Sequence, residues 1–160
     1  MKGIVAFDSV YGNTKMVAEV IAEEIKAQGH EVAIYNLGVK IPRLAEGDFV
    51  FVGSPTRMGR MTGRTKKFVK RLDRGHFATR TVVPFDTILT LPEDPEGRRK
   101  ALKWTEHGAA IRIKELAGKR GLKVNDQVLR VNVSGLKGPL VPEALDQARE
   151  FTRDFLSKSI

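Results

Sequence analysis

The sequence contains no cysteine among its 160 residues. This absence excludes disulfides, thiolate metal sites and cysteine nucleophiles, so any redox chemistry has to come from a bound cofactor. Long apolar runs are absent as well, and the first residues lead directly into a strand-like segment without the apolar core of a signal peptide. We therefore expect a soluble, cytoplasmic protein without a membrane-spanning segment.

Two nucleotide-binding patterns are also missing. The sequence has no GxGxxG motif for a dinucleotide and no GxxxxGKS or GxxxxGKT motif for a nucleoside triphosphate. Its three histidines lie far apart without metal-ligand spacing, so no metal site is predicted. What is present is an ordinary globular composition, with 41% apolar and 29% charged residues. At this length we expect one domain that spans residues 1–160.

Positive charge is concentrated in one stretch, which we call the basic segment. The whole chain carries a formal charge of +9, and residues 57–80 hold nine basic side chains and one acid, Asp73. The nine basic residues are Arg57, Arg60, Arg64, Lys66, Lys67, Lys70, Arg71, Arg74 and Arg80. Since the other 136 residues hold 19 basic and 18 acidic side chains, the position of this segment in the fold becomes a functional question.

Short apolar runs alternate with amphipathic helical patterns along the chain. Strands are predicted at residues 4–7, 31–37, 48–53, 80–89 and 124–133. Helices are predicted at residues 13–28, 62–74 and 94–119, with a last one after Pro142. This α/β alternation predicts a five-stranded parallel sheet with helices on both faces.

The turn after the first strand has the residues of an anion site. Ligands of open parallel sheets bind beyond the carboxyl ends of the strands, where the winding reverses. At residues 8–14 the chain offers donors from Ser9, Asn13 and Thr14, a glycine at position 12 that lets the backbone approach a ligand, and the N–H groups of a helix N-terminus. These groups suit a terminal phosphate. They also suit helix capping, so the local residues alone leave both interpretations open.

Two turns carry a resemblance to a known family. The first has the sequence Phe7-Asp8-Ser9-Val10-Tyr11-Gly12-Asn13-Thr14. It resembles the phosphate loop of the flavodoxin family, most closely the form in the flavodoxin domains of flavodiiron proteins. The second has the sequence Gly53-Ser54-Pro55-Thr56-Arg57-Met58-Gly59-Arg60-Met61. It is similar to the family's second loop, and from Thr56 onward it resembles the NAD(P)H:quinone reductases named after tryptophan-repressor binding.

The resemblance implies a fold, a cofactor and a set of contacts. The fold is a flavodoxin-like, doubly wound parallel sheet of order 2-1-3-4-5, and the cofactor is FMN. The FMN phosphate would be held by the side chains and backbone of Ser9, Val10, Tyr11, Gly12, Asn13 and Thr14. The isoalloxazine ring would lie along Pro55, Thr56, Arg57, Met58 and Gly59. A backbone carbonyl near Met58 and Gly59 would accept a hydrogen bond from N5–H of the reduced ring.

The turn after the fourth strand departs from the family pattern. Where flavodoxins usually have an aromatic residue and a Gly/Asp-rich stretch, this chain continues from Val83 to Pro92 with Phe85 and Asp86. Phe85 is either a residue that stacks on the ring or a core strand residue, and Asp86 is a candidate contact to the ring or to a substrate. A ring left open on this side would favour hydride or quinone chemistry over electron transfer through the ring edge.

The predicted long helix at residues 94–119 carries two apolar patterns. Its core stripe consists of Leu102, Ala109, Ile113 and Leu116. Trp104 and Ile111 then fall on the outer face, where they mark either a subunit contact of a homo-oligomer or a surface that a loop covers.

The basic segment follows the second turn and therefore borders the expected flavin edge. A basic surface helix is often only solvated. The functional interpretation is that it attracts an acidic redox partner such as a ferredoxin-like protein, or an anionic substrate such as a nicotinamide phosphate. Nucleic acid is disfavoured, because aromatic stacking residues are not interleaved with these cations.

Three functions remain open at this stage. The first is an FMN-binding flavodoxin-like protein that transfers electrons, either as a carrier or as a small oxidoreductase. The second is an FMN-dependent NAD(P)H:quinone reductase. The third is a flavodoxin fold without FMN that acts as a binding module through its basic face. The same phosphate loop serves the first two, so the sequence separates them poorly.

Overall fold

Six strands and five helices follow one another along residues 1–44, 46–72 and 80–159, the part of the chain that the computed structural model describes. In chain order they are β1 Lys2–Phe7, α1 Asn13–Ala27, β2 Glu31–Asn36, β3 Phe49–Pro55, α2 Gly63–Arg71, β4 Thr81–Leu89, α3 Pro95–Thr105, α4 Gly108–Lys119, β5 Lys123–Val124, β6 Leu129–Val133 and α5 Ala144–Ser159. Arg74 of the basic segment and His76 lie outside the described residues.

The sheet is parallel and has the order β2-β1-β3-β4-β5, as predicted. The predicted fifth strand at residues 124–133 is divided, because β5 pairs with the start of β4 and β6 pairs with its end. Between the two pieces the Asn125 side chain donates to the carbonyl of Gln127 at 2.8 Å. A local side-chain bond of this kind competes with the sheet ladder and explains the interruption.

Two layers of apolar side chains cover the sheet, one on each face. Along β1, Val5 and Phe7 face the layer that contains α1 and α5, while Ile4 and Ala6 face the layer that contains α2 and α4. This alternation follows from the two-residue period of a strand. Strands buried on both faces have near-continuous apolar runs, as the sequence of β3 shows.

The helix predicted at residues 94–119 is in fact two helices. The N-terminus is as expected, because the Asp94 side chain accepts from the Gly97 N–H at 2.7 Å and Pro95 occupies the first turn. The break lies at Gly108, whose φ of +57° is the left-handed conformation that favours glycine. A Cβ at this position would also collide with the Arg130 guanidinium. The apolar periodicity on either side of Gly108 is therefore not continuous.

This break changes the expectations for the outer face. Helix α3 has no buried residue, and Leu102, predicted in the core stripe, is 37% exposed. Ala109 and Ile113 are buried as predicted, and both lie on α4. Trp104 and Ile111 belong to different helices, so the periodicity of one continuous helix, which predicted their shared outer face, does not connect them.

Helix α1 is anchored to α5 by an ion pair. Arg153 donates to Glu24 at 2.8 Å, and this hydrogen bond lowers the pKa of the Glu24 carboxyl. The contact holds α1 in place, and its N-terminus faces the carboxyl end of the sheet. Among the described residues, no helix has both the length and the apolar character needed to cross a bilayer.

Gly53 gives a direct test of this packing. In the sheet register it lies beside Phe85, and a Cβ at position 53 would overlap the buried Phe85 ring. We expect Gly53→Ala to lower the free energy of unfolding by about 1–3 kcal/mol, measured by urea denaturation. The control is Gly118→Ala, where no atom lies within 4 Å of the new methyl. We expect the free energy of unfolding of this variant to rise by about 0.5–1 kcal/mol, because alanine favours a helix more than glycine does. Equal stability of the two variants would contradict the packing described.

Candidate functional site

A cavity of about 240 Å³ opens at the carboxyl ends of β1, β3, β4 and β6. Its walls come from four segments, namely the turn after β1, the turn after β3, the end of β4 and the stretch that follows β6. The lining residues are Ser9, Val10, Tyr11, Asn13, Thr14, Pro55, Thr56, Arg57, Met58, Thr87, Leu89, Val133 and Leu136. The cavity lies where β1 meets β3 and the winding of the sheet reverses, which is the expected ligand position in this architecture.

The turn after β1 supplies the polar end of the cavity. The Ser9 Oγ accepts from the N–H of Gly12 at 3.1 Å and from that of Lys15 at 3.4 Å. Gly12 has a φ of +94° at the N-cap of α1, and this conformation folds the loop back onto Ser9. The Ser9 hydroxyl hydrogen remains able to donate to a ligand. The helix N-terminus adds partial positive charge at the same end.

Two more contacts fix the walls around this polar end. The hydroxyls of Thr14 and Thr87 are 2.9 Å apart, and this buried hydrogen bond joins α1 to β4. The Asn13 side chain donates to the carbonyl of Lys137 at 3.2 Å, which connects the turn after β1 to the stretch after β6. Hydroxyl and amide groups are thus gathered at one end of the cavity.

The other end of the cavity is apolar and open to solvent. Met58 and Leu136 are 75% and 77% exposed, and Tyr11 and Leu89 are also exposed. Arg57 is the one charged residue in the lining. The cavity therefore suits a ligand with an anionic end and a planar apolar body whose edge stays in solvent. The cavity volume lies just below the range of about 300–1,000 Å³ for enclosed ligand pockets. A smaller enclosed volume agrees with a site that is open to solvent at one end.

A tight turn forms the apolar wall after β3. Arg57 and Arg60 exchange backbone hydrogen bonds of 2.9 and 3.0 Å, and the two residues between them have positive φ, +51° at Met58 and +78° at Gly59. This is the geometry of a type I′ turn, in which a non-glycine residue at the first central position is strained. Arg112 Nε donates to the Gly59 carbonyl at 2.7 Å. The sequence predicted that a carbonyl of Met58 or Gly59 would face the ring. Of these two carbonyls, only that of Met58 has no hydrogen-bond partner among the described residues.

Asp86 supports the cavity from below and does not line it. It is fully buried, and its Oδ2 accepts from Thr56 Oγ1 at 2.9 Å, from the Ala110 N–H at 3.0 Å and from Arg130 Nη2 at 2.9 Å. Thr56 Oγ1 in turn accepts from the Ala109 N–H at 2.8 Å. The carboxylate thus caps the first turn of α4 while it holds Thr56 in the cavity wall.

The structure brings nine of the predicted site residues to the cavity and buries two, Phe85 and Asp86, away from it. The nine are Ser9, Val10, Tyr11, Asn13, Thr14, Pro55, Thr56, Arg57 and Met58. Gly12 and Gly59 belong to the same turns but do not line the cavity. Phe85 is fully buried in the core against Gly53, so it does not stack at the site. Asp86 has no accessible surface either, and its side chain does not line the cavity.

Four lining residues were not predicted. Thr87 and Leu89 lie at the end of β4, and Val133 and Leu136 lie at and beyond the end of β6. Because all strand ends of a parallel sheet meet at one edge, the turn after the fifth predicted strand carries the signal that could have found Val133 and Leu136.

The chain belongs to the flavodoxin family, since the family model for the flavodoxin domain matches residues 4–123. Two curated proteins are similar to parts of the chain. Over 77 residues the chain is 31% identical to an uncharacterized protein of Methanocaldococcus jannaschii, and the match covers 45% of this chain. Over 124 residues it is 26% identical to an NAD(P)H dehydrogenase (quinone) of Archaeoglobus fulgidus, covering 61% of this chain. The matches span 20% and 65% of the two relatives' own lengths.

Solved structures are similar over nearly the whole chain. A flavodoxin from the domain Archaea is 25% identical, with a TM-score of 0.71 and coverage of 99% of this chain and 98% of that one. The rubredoxin oxygen:oxidoreductase of Desulfovibrio gigas is 16% identical with a TM-score of 0.70, covering 95% of this chain and 34% of that one. This second likeness shows the fold alone.

FMN is the cofactor of the flavodoxin domain, and the cavity fits it. A phosphate requires several donors, which the hydroxyl and amide end provides. A flavin ring requires an apolar wall with an open edge, which the turn after β3 provides. Among the residues that the structure describes, no lysine or acidic residue lines the cavity. The donor set therefore agrees with the family's cofactor.

Asp86→Asn tests the support of the cavity wall. The substitution removes the negative charge that pairs with Arg130, and we expect the free energy of unfolding to fall by about 2–3 kcal/mol. Asp126→Asn is the control, because Asp126 is exposed and its carboxylate has no partner among the described residues. It should change stability by less than about 0.5 kcal/mol. Urea unfolding followed by circular dichroism measures both. A small, equal effect of the two variants would show that Asp86 does not support the wall.

Proposed function

We propose that this protein binds FMN non-covalently in the cavity and passes electrons as a carrier. The observation that carries the proposal is the arrangement of the cavity, with a hydroxyl and amide end at the turn after β1 and an exposed apolar end at the turn after β3. FMN, when bound, supplies the electron chemistry, and the protein binds, orients and tunes it.

The residues at the polar end hold the phosphate in this proposal. Ser9, Asn13 and Thr14 donate from their side chains. The backbone donates from the N–H groups of Val10, Tyr11, Asn13 and Thr14, since the Gly12 N–H already bonds to Ser9. Tyr11 lies beside the phosphate at the border between the polar and apolar ends. Since no lysine is present, the binding free energy of the phosphate comes from several hydrogen bonds and the helix N-terminus.

The turn after β3 orients the ring. Pro55, Thr56 and Met58 form its wall, and the Met58 carbonyl accepts no hydrogen bond from the described residues, so it is free to receive a ring N–H. The Gly59 peptide has no such freedom, because Arg112 holds its carbonyl. In this proposal the Met58 carbonyl can turn toward the ring, while Arg112 keeps the Gly59 carbonyl in place. The protein tunes the reduction potential of the flavin through this pair of peptides.

A second candidate function is an FMN-dependent NAD(P)H:quinone reductase. The observation that favours it is the open face of the cavity, because Phe85 is in the core and no aromatic residue of β4 covers the ring position. A relative of this chain is an NAD(P)H dehydrogenase (quinone) by name, and this also supports the second candidate.

The visible spectrum of the purified protein tests the proposal. Carrier and reductase both predict a yellow protein with the absorption of oxidised flavin, or a colourless one that takes up added FMN. A protein that neither carries nor takes up FMN would contradict both functions. The remaining alternative would then be a binding module that acts through its basic face. Stepwise chemical reduction then separates them. Two resolved one-electron steps support the carrier, and rapid bleaching by NAD(P)H that a quinone reverses supports the reductase.

Removing two hydroxyls locates the phosphate. We expect Ser9→Ala with Thr14→Val to weaken FMN binding, measured by quenching of flavin fluorescence, by about 1–3 kcal/mol per lost hydrogen bond. The matched control is Thr81→Val with Ser157→Ala, since both positions are remote from the cavity. Because Thr14 also bonds to Thr87, thermal unfolding is measured for each variant. Unchanged FMN affinity in the first pair would mean that the phosphate lies elsewhere.

The basic segment begins at the cavity, where Arg57 lines the wall, and continues along α2. From α2 the exposed cations are Arg64, Lys66, Lys67, Lys70 and Arg71. Helix α3 adds Arg98, Arg99, Lys100 and Lys103, all of them exposed. A surface of this sign attracts an acidic redox protein such as a ferredoxin, or an anionic substrate, and raises its association rate. In this proposal the sign of the partner is opposite to that of the protein.

Neutralising part of this surface tests the partner proposal. We expect Arg64→Gln, Lys67→Gln and Arg71→Gln together to slow electron exchange with an acidic ferredoxin by about tenfold or more at low salt. The matched control neutralises Lys26, Lys123 and Lys158, which lie near the amino ends of the strands. Stopped-flow absorbance measures the rates, and FMN affinity should be unchanged in both triples. If both triples slow the reaction equally, net charge alone is responsible.

Two expectations remain predictions. A homo-oligomer through Trp104 and Ile111 now rests on Trp104, which is 53% exposed, while Ile111 is only half-buried on the next helix. Cytoplasmic localisation rests on the sequence alone.

A further inference from the structure

A second concave region lies between α2 and α4, outside the cavity described above. Its volume is about 340 Å³, and we call it the groove. Four cations line it, Arg60 from the turn after β3, Lys66 from α2, and Arg112 and Lys119 from α4. Met61 and Leu116 form its half-buried apolar floor.

The charge of the groove is not neutralised by the protein. Glu115 is the one acidic residue among the described lining residues, which together have a net charge of +3. Among the described residues, neither the four cations nor Glu115 form an ion pair. Four like charges that converge on one concave surface repel one another, and a bound anion would relieve that repulsion.

One of the four cations is held in place. Arg112 Nε donates to the Gly59 carbonyl at 2.7 Å, and this bond ties the guanidinium to the turn after β3. A guanidinium has five N–H groups, so four remain for a ligand. Two guanidinium groups in one groove favour phosphoryl groups, because the planar fork matches two phosphate oxygens at once.

The groove also adjoins the flavin cavity. Arg57 lines the cavity, Arg60 lines the groove, and the two residues are the ends of one hydrogen-bonded turn. The ends of such a turn are less than about 7 Å apart at their Cα atoms. A ligand in the groove therefore lies immediately behind the wall against which the ring is oriented.

We propose that the groove binds the phosphoryl groups of a small molecule that carries a diphosphate. A small molecule fits the observations better than an acidic protein, because the cations converge on a concavity with an apolar floor instead of spreading over a flat face. The exposed cations of α2 that point away from the groove, such as Lys67, are the ones that suit a protein surface. The proposal goes beyond electron transfer and does not require that FMN is bound.

Calorimetric titration with inorganic pyrophosphate tests the groove. The protein is kept in excess FMN, so that the turn after β1 does not compete for the anion. We expect Lys66→Gln with Lys119→Gln to weaken pyrophosphate binding at least about tenfold, which corresponds to the loss of two charge-assisted hydrogen bonds. The matched control, Lys67→Gln with Lys103→Gln, removes the same charge outside the groove and should weaken binding less than about threefold.

Two further ligands separate the sources of the anion. ADP presents a diphosphate on a nucleoside, so affinity equal to that of pyrophosphate assigns the site to the phosphoryl groups alone, and tighter binding adds a nucleoside contact. Both results support the proposal. Equal loss in the two lysine pairs would overturn it, as would absent pyrophosphate binding. Binding of polyglutamate in place of pyrophosphate would overturn it in favour of a protein docking site. Flavin absorbance after gel filtration reports separately whether FMN binding itself fails.

Discussion

The Asp86 carboxylate connects four parts of the fold at one point. Through Thr56 it holds the segment that follows β3, through Ala110 it begins α4, and through Arg130 it reaches β6, while its own backbone belongs to β4. A buried charge is tolerated only when it is paired and hydrogen-bonded, and all of these partners meet that requirement. Since the cavity is built from the ends of the same elements, its shape depends on this carboxylate although no ligand touches it.

The two sides of the turn at residues 57–60 differ in charge. On the cavity side the lining is neutral except for Arg57, so a phosphate there is bound by hydroxyls, amides and a helix N-terminus. On the groove side four cations converge around one acid. The turn between them combines a strained Met58 with a Gly59 carbonyl held by Arg112. Of the net charge of +9, which alone suggests nucleic acid, +8 belongs to residues 57–80, the segment that begins at the turn between the cavity and the groove.

Much of the fold could be predicted from the sequence, because it depends on local patterns. Apolar strand runs and the turns at residues 8–14 and 53–61 are contiguous in the chain, and the strand order follows from the family that those turns indicate. The differences between the prediction and the structure arise from contacts between residues that are distant in the sequence. Gly108 breaks a periodic helix because of its conformation and the nearby Arg130, and the conflict between core and stacking roles for Phe85 is decided by its neighbour Gly53. Leu136 could not be predicted from a local motif, because the stretch that follows β6 resembles neither of the two recognisable turns.

The central claim is that the ends of β1, β3, β4 and β6 form an FMN site. A crystal structure of the protein grown with FMN tests it most directly. We predict the phosphate within hydrogen-bonding distance of Ser9, Asn13 and Thr14, with the ring against the Met58 turn and its edge in solvent. The phosphate of FMN in the groove between α2 and α4 instead of at Ser9, or a ring away from Met58, would contradict this claim.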